Sequence, residues 1–340
     1  MTMKIFGCDL DRDVAVVAEI GVNHEGDVDV ASRLLRLAAE AGAHAVKFQT
    51  FTPERYASSS DPARLKRVTG FALSGDAHLR LTDEAKKLGV FMFSTAVSED
   101  VVSFLAEHFS AIKIASGDLD FEPVIRAAAR TGKPVILSTG LGTMDEVQRA
   151  VGWLRDEIGS AALRDRVVLM QCVSAYPAPV EEASVLGVPY LAEATGLRIG
   201  YSNHVIGPDA CYAAVAHGAC MLEVHFTDRK TGREFRDHAL SFEPDDLRSL
   251  LAVVPRIRAS LGVRGKDRQP SELGNIKAVR KGVVAARDLQ AGRVLTRDDL
   301  TFARPQTEFA ASEIDSLVGK RLDRALRAGE LLPRAAVTAG

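Results

Sequence analysis

The chain has 340 residues, 46% of them hydrophobic, and a formal net charge of -2 at pH 7. A near-neutral balance argues against a nucleic-acid-binding protein, which usually carries a basic stripe. The chain opens without a basic segment followed by an apolar one and has no apolar run of ~18 residues, so we expect neither a secretory signal nor a membrane span. Its four cysteines form no CxxC pair, and we expect reduced thiols in a cytoplasmic protein.

Eight short apolar runs alternate with helix-like segments. In chain order the runs are 14–20, 45–51, 90–95, 111–116, 134–139, 167–173, 198–203 and 221–227. After the first run, apolar residues recur at helical spacing from Val30 to Ala41, and Gly42 is a typical helix end. Eight strand–helix alternations over ~250 residues predict a parallel (β/α)8 TIM barrel. The alternative is a doubly wound open sheet, but no GxGxxG follows the first run.

Polar residues stand at the carboxyl end of every predicted strand, where barrels of this class place their active sites. They are Glu19; Lys47 and Gln49; Ser94 and Thr95; Lys113 and Ser116; Ser138 and Thr139; Gln171 and Ser174; Ser202 and His204; Glu223 and His225. Strand alternation puts Lys47 and Gln49 on one face, and Lys113 opposite its isoleucine neighbours. We therefore expect the polar faces to point into the barrel mouth.

Two inward lysines, Lys47 and Lys113, suit an anionic substrate, with strand-end hydroxyls as phosphate partners. One alternative is that each lysine pairs with a structural carboxylate. Another is a Schiff-base aldolase, in which a barrel lysine is the nucleophile. Glu19 suits a general acid or base or an acceptor for a sugar hydroxyl, and equally a partner for Lys47.

His204 and His225 end neighbouring strands, so their imidazoles can converge on one divalent ion acting as a Lewis acid. The absence of HxH in the first strand argues against a metal-dependent amidohydrolase. His24 is left undecided. The remaining histidines are predicted to be surface or packing residues: His44, His78, His108, His217 and His238.

The composition changes near residue 262, so we predict a barrel domain over 1–262, a linker over 263–280 that is rich in charge, Gly and Pro, and a small domain over 281–340. Within the small domain, DLQAGRVLTRDDL (288–300) resembles ALRAGELLPRAAV (325–337) at an offset of 37 residues. This similarity predicts a small pseudo-twofold β module.

Eight motifs, taken together and in order, resemble the sialic acid synthase family, the phosphoenolpyruvate-condensing nonulosonate synthases. They are AEIGVNHEGD, VKFQTF, FSTAVS, IKIASGD, PVILSTGLGTMDEV, CVSAYPAP, GYSNHVIG and LEVHFTDR. RKGVVAARDLQAGRVLTRDDL is similar to that family's C-terminal antifreeze-like β-clip domain. The resemblance covers essentially the whole chain.

The resemblance implies a transferase that joins phosphoenolpyruvate to the open-chain aldehyde of an N-acetylated aminohexose. The acceptor would be N-acetylmannosamine or its 2,4-diacetamido-6-deoxy relative. Carbon three of the enol attacks the aldehyde, water adds at carbon two, and phosphate leaves by C–O cleavage. It also implies a divalent cofactor, for which we expect Mn²⁺ with Mg²⁺ or Co²⁺ as alternatives, and a domain-swapped homodimer.

The resemblance also assigns residues by position. Phosphoenolpyruvate contacts are Lys47, Thr95, Lys113, Ser116, Ser138, Ser174 and Ser202. Sugar-facing residues are Glu19, Gln49, Tyr176, Asp237 and, from the partner subunit, Arg304; metal ligands are His204 and His225; catalytic residues are Glu19, Lys47, Lys113 and Asp118.

Several positions depart from the family pattern. Family members often carry Glu where Asp118 stands, and commonly Asn where Ser174 stands. The segment after the second strand does not match the loop that reads the sugar's N-acetyl group, so the acceptor stays open. A non-catalytic carbohydrate- or ice-binding protein would keep the antifreeze-like tail, but the Lys, His and Glu residues at the predicted mouth argue against it.

Overall fold

The computed structural model describes residues 3–235 and 237–338. They divide into two compact units, one that ends at Gly262 and one that begins at Val263. Within the described residues, no helix is long and apolar enough to cross a membrane.

Eight parallel strands close into a barrel in the first unit, which confirms the predicted TIM barrel. They are β1 (Ala15–Gly21), β2 (Ala45–Thr50), β3 (Phe91–Ala96), β4 (Ile112–Ile114), β5 (Val135–Ser138), β6 (Val167–Cys172), β7 (Arg198–Asn203) and β8 (Met221–His225). Each pairs with the next, and β8 pairs with β1. A hairpin of Lys4–Ile5 with Cys8–Asp9 precedes the barrel.

Helices fill the connections between the strands. They are α1 (Val28–Glu40), α2 (Pro53–Tyr56), α3 (Pro62–Phe71), α4 (Gly75–Leu88), α5 (Val102–His108), α6 (Glu122–Arg130), α7 (Met144–Ile158), α8 (Ser160–Arg166), α9 (Gly187–Thr195), α10 (Asp209–Ala216), α11 (Asp237–Leu240) and α12 (Pro244–Ser260). Their ends follow local chemistry. Thr143 and Glu146 form a reciprocal capping box at α7, and Gly42 follows α1 with a φ of 95°.

The strands are buried on both faces because one face packs on the helices and the other fills the barrel. On β4, Ile112 and Ile114 belong to the apolar core, while Lys113 between them points to the barrel interior. The alternation of side chains along β4 therefore puts the charge of Lys113 on one face of the strand and the apolar packing of Ile112 and Ile114 on the other.

The second unit has two short helices, α13 (Pro270–Leu273) and α14 (Ile276–Val279), before a small β module. The module pairs β9 (Gly282–Ala285) with β10 (Leu300–Ala303), and β11 (Arg321–Leu322) with β12 (Val337–Thr338). Leu289 and Leu326, which occupy equivalent places in the two similar segments, form a β-bridge with each other. A separate apolar core underlies the module.

Candidate active site

A cavity of about 970 Å³ opens at the carboxyl ends of the barrel strands. All fourteen predicted site residues of the barrel unit line this cavity. They are Glu19, Lys47, Gln49, Thr95, Lys113, Ser116, Asp118, Ser138, Ser174, Tyr176, Ser202, His204, His225 and Asp237. Arg304 follows β10 in the second unit, where it is exposed.

Lys47 on β2 lies at the centre of a buried polar cluster. Its Nζ lies 2.7 Å from Glu19 Oε2 and donates to Thr95 Oγ1 at 3.1 Å. Burial alone would lower the pKa of Lys47, but the carboxylates of Glu19 and Glu223 outweigh it and raise that pKa. The lysine is therefore a cation. It has the carboxylate partner that the sequence offered as an alternative, Glu19, and also a hydroxyl partner, Thr95.

Lys113 on β4 is held differently. Its Nζ donates to Ser138 Oγ at 2.7 Å and lies 3.7 Å from Glu223 Oε1. Burial lowers the pKa of Lys113, and the Glu223 carboxylate only partly offsets it. Lys113 thus has weaker anionic compensation than Lys47, so an anionic substrate group would restore the balance.

Glu223 on β8 links the two lysines, a role that the strand pattern alone did not reveal. Its Oε1 lies 3.6 Å from Lys47 Nζ and accepts from Ser202 Oγ at 3.1 Å. Burial raises carboxyl pKa values, but the two lysines outweigh it and lower the pKa of Glu223. For Glu19, burial prevails over Lys47 and raises the pKa. Of these two carboxyl groups, Glu223 is the permanent anion and Glu19 the better proton donor.

His204 and His225 lie side by side with ring centroids 5.3 Å apart. Tyr176 packs on both rings, 4.2 Å from His204 and 5.8 Å from His225. His204 Nδ1 lies 2.5 Å from Val173 O, so this nitrogen carries the proton and donates. Burial lowers the pKa of His204. The ring is therefore neutral, with Nε2 available as a lone-pair ligand.

The side chains around the two imidazoles decide which metal could bind there. A neutral imidazole oriented by a backbone carbonyl is the usual form of a metal-binding histidine. Within residues 3–235 and 237–338, no group of three His, Cys, Asp or Glu side chains is arranged to hold a metal. The two imidazoles fit a metal whose remaining positions are taken by water or substrate oxygens.

A hydroxyl-rich pocket lies where β5 and β6 end. Ser116 Oγ accepts from Gly140 N at 3.1 Å and lies 3.1 Å from Cys172 Sγ. A Cβ on Gly140 would stand 2.5 Å from Ser174 Oγ and 2.8 Å from Ser116 Oγ, so only glycine fits here. Sequence reasoning missed the roles of Gly140 and Cys172, although the STGLG motif contains the glycine.

Asp118 ends a short 3-10 turn, Ser116–Asp118, at the edge of this pocket. Burial raises the pKa of Asp118 to about 6, with Lys113 opposing the shift. A carboxyl group with a pKa near neutrality can exchange a proton during a reaction. Its placement suits a general base, and that role stays a prediction.

Three strand-end residues expected in the mouth lie elsewhere. Ser94 bonds to Thr50 at 2.7 Å on the outer face of the barrel, where Thr50 also meets His78. Thr139 donates to Met170 O at 3.1 Å, and Gln171 donates to Ser184 O at 3.2 Å. For Ser94 and Thr139 the expectation failed because successive residues of a strand point to opposite faces, so of two adjacent polar residues only one can point inward.

Comparisons with known proteins agree with this architecture. The model of the NeuB family matches residues 34–266, and the SAF domain model matches residues 280–338. N,N'-diacetyllegionaminic acid synthase of Campylobacter jejuni is 33% identical, with 94% of this chain and 99% of that protein covered. N-acetylneuraminate-9-phosphate synthase of Mus musculus is 32% identical, with 90% and 88% covered.

A solved structure shares the fold. The N-acetylneuraminic acid (sialic acid) synthetase of Leptospira borgpetersenii, crystallised with citrate, superimposes with a TM-score of 0.76 at 29% identity. The match covers 81% of this chain and 95% of that one.

Proposed function

Because the chain belongs to the NeuB family of sugar-acid synthases, we propose that it condenses phosphoenolpyruvate with the open-chain aldehyde of an N-acetylated aminohexose. The acceptor is N-acetylmannosamine or its 2,4-diacetamido-6-deoxy relative. The products are a nonulosonic acid and phosphate. The observation that carries this proposal is the joining of two buried lysines, strand-end hydroxyls and two imidazoles in one cavity.

Phosphoenolpyruvate binds through its anionic groups to the two lysines. Lys47 and Lys113 are each held by a hydroxyl, Thr95 and Ser138 respectively, so their ammonium groups need little reorganisation. Ser116, Ser174 and Ser202 supply further hydroxyl groups in the same cavity. Buried cations attract the substrate strongly because water does not screen them.

His204 and His225 would hold a divalent ion, for which we propose Mn²⁺, and the chemistry it would supply when bound is Lewis-acid polarisation of the aldehyde. The chain then has two tasks. Gln49, Tyr176 and Asp237 orient the sugar so that its aldehyde carbon faces carbon three of phosphoenolpyruvate. Glu19, whose pKa is raised, donates a proton toward the oxygen that becomes a hydroxyl.

Asp118 accepts the proton of the water that adds at carbon two. The water adds there because the bond between carbon three and the aldehyde carbon has formed from the enol double bond and has left carbon two electron-poor. The resulting tetrahedral carbon bears hydroxyl and phosphate groups. The C–O bond to phosphate then breaks with its electron pair on the phosphate, which also takes the hydroxyl proton, and the 2-keto acid remains. The location of Asp118, in the same 3-10 turn as Ser116 and in the lining of the same cavity, supports this role.

Phosphate release from phosphoenolpyruvate, measured with Mn²⁺ across a panel of N-acetylated hexosamines, tests the function. We expect release that depends on the sugar. Folded protein that releases phosphate with none of the sugars would contradict the synthase proposal.

A Schiff-base pyruvate aldolase is the second candidate, favoured by the lowered pKa of Lys113. Borohydride treatment with pyruvate would then trap an adduct on Lys113 or Lys47. The synthase proposal expects no adduct on either lysine.

We also propose a domain-swapped homodimer in the cytoplasm, in which the partner subunit's Arg304 completes the sugar site. Arg304→Ala should then raise the KM for the sugar or lower kcat while leaving phosphoenolpyruvate binding unchanged. A monomer in analytical ultracentrifugation that retains full activity would rule the arrangement out.

A further inference from the structure

Cys172 ends β6 and contacts the hydroxyl pocket of the cavity. It is 5% exposed, and its Sγ lies 3.1 Å from Ser116 Oγ. The chain has four cysteines, all of them in the part that the structure describes, and the other three belong to the apolar core: Cys8, Cys211 and Cys220. Core packing therefore explains those three thiols, whereas Cys172 lies beside a residue that we assign to phosphoenolpyruvate.

The Ser116 hydroxyl has one hydrogen to donate and two lone pairs with which to accept. Gly140 N donates to Ser116 Oγ at 3.1 Å and occupies one lone pair. The contact with Cys172 Sγ can form in either direction. If the hydroxyl donates to the sulfur, its hydrogen is lost to the cavity. If the thiol donates to the hydroxyl, both lone pairs are occupied and the hydrogen remains for a ligand.

An anion in the cavity decides between these two directions. A hydrogen bond to an anionic oxygen is roughly twice as strong as one between neutral groups, and a thiol sulfur is a weak acceptor. The Ser116 hydroxyl therefore donates to a phosphate or carboxylate oxygen when one is present, and the Cys172 thiol donates to Ser116 Oγ. A chain from thiol to hydroxyl to anion strengthens each of its bonds, because each group polarises the next.

The neighbouring Ser174 also points to a ligand here. Its Oγ is buried and has no hydrogen-bond partner among the described residues. A Cβ on Gly140 would stand 2.5 Å from Ser174 Oγ and 2.9 Å from Cys172 Sγ, so these polar atoms converge beside Gly140 at the cavity wall. Because a buried hydroxyl without a partner is costly, a ligand that accepts from Ser174 is favoured.

We infer that Cys172 is a positioning residue for phosphoenolpyruvate. Its thiol donates to Ser116 Oγ and, together with Gly140 N, directs the Ser116 hydrogen to an anionic oxygen of the substrate. Cys172 acts through Ser116 and does not itself bind the substrate. This inference rests on the proposed function, from which it takes phosphoenolpyruvate as the ligand.

Titration calorimetry of phosphoenolpyruvate, with Mn²⁺ and without sugar, tests the inference. Cys172→Ala removes the thiol donor and should raise the Kd for phosphoenolpyruvate roughly three- to tenfold. Cys172→Ser keeps a donor at the same position and should recover most of the affinity. Cys220→Ala is the matched control, because Cys220 is also 5% exposed but belongs to the apolar core, and its Kd should equal that of the wild type.

A double-mutant cycle separates positioning from packing. In Ser116→Ala the thiol has no hydroxyl to orient, so the addition of Cys172→Ala should weaken binding no further. Equal weakening by Cys172→Ala in both backgrounds would show a packing effect and overturn the inference. An unchanged Kd in Cys172→Ala, or binding by Cys172→Ser as weak as that by Cys172→Ala, would also overturn it.

Phosphate release by the same proteins distinguishes this inference from the proposed function. Wild-type protein that binds phosphoenolpyruvate but releases no phosphate with any N-acetylated hexosamine would contradict the proposed function, and the Kd values would still decide the role of Cys172. Folded wild-type protein that does not bind phosphoenolpyruvate would overturn both.

Discussion

Lys47 Nζ and Glu19 Oε2 lie 2.7 Å apart on adjacent strands, and the side chains are only 4% and 3% exposed. This ion pair connects the stability of the barrel to its chemistry. Burial makes each charge costly without its partner, and Glu223 ties the same lysine to the rest of the cluster. The site is therefore built from groups that depend on one another.

Replacing Lys47 should destabilise the barrel as well as impair substrate binding. In Lys47→Met the carboxyl groups of Glu19 and Glu223 lose their shared cation, and we expect a loss of roughly 3–5 kcal/mol in the free energy of unfolding. Adding Glu19→Gln should recover part of it. Urea denaturation measures both. Lys86→Ala, which removes an exposed pair with Asp83, is the control; equal midpoints for it and Lys47→Met would contradict the expectation.

Removing His225 should abolish the metal-dependent rate while preserving the fold. His225→Ala deletes one of the two imidazoles that face the cavity, and we expect activity to fall at least roughly a hundredfold. Activity against Mn²⁺ concentration, with circular dichroism for the fold, measures this. His217→Ala alters an exposed histidine and should change nothing. Full activity of His225→Ala would show that the metal ligands are assigned wrongly.

Asp118 should impose an acidic limb on the rate. Its pKa is raised to about 6 by burial, and a general base must be deprotonated, so kcat/KM should rise as pH increases through about 6. Asp118→Asn should lower the rate and remove this limb, whereas Asp118→Glu should keep it. A limb that persists in Asp118→Asn would assign the titration to another group.

The raised pKa of Asp118 should also affect stability. Activity is expected to increase with pH, whereas the free energy of unfolding is expected to decrease. Because the folded state holds the Asp118 proton more tightly than the unfolded state, the free energy of unfolding should decrease as the pH rises from about 4 to about 6. Comparing unfolding of the wild type and Asp118→Asn over this range isolates the contribution.

Gly140 should tolerate no side chain. In Gly140→Ala the new Cβ would clash with Ser174 Oγ and Ser116 Oγ, which must move, so the KM for phosphoenolpyruvate should increase with little change in the overall fold. Gly152→Ala is the matched control, because α7 has open space there and alanine should stabilise a helix by about 0.5–1 kcal/mol. An unchanged KM in Gly140→Ala would argue that the hydroxyl pocket does not bind the substrate.

At the strand ends, the sequence pattern predicted the facing of some side chains correctly and left that of others undetermined. Alternation placed Lys47 and Lys113 correctly in the cavity, since the residues beside them are strongly apolar. It did not separate Ser94 from Thr95, because Met92 and Phe93, on opposite faces of this strand, are both apolar, so the pattern does not show which face points inward. Thr95 lines the cavity, and Ser94 packs outside the barrel.

By itself the sequence determined the eight-stranded barrel, its polar mouth and the repeated tail module, because these follow from periodicity and from the residues at strand ends. Only the tertiary structure decided which groups meet. Glu223 joins Lys47 to Lys113 across strands that are far apart in the chain, and β6 brings Cys172 to Ser116. Closure of the barrel fixes such contacts, and local sequence does not encode the distance between residues that closure brings together.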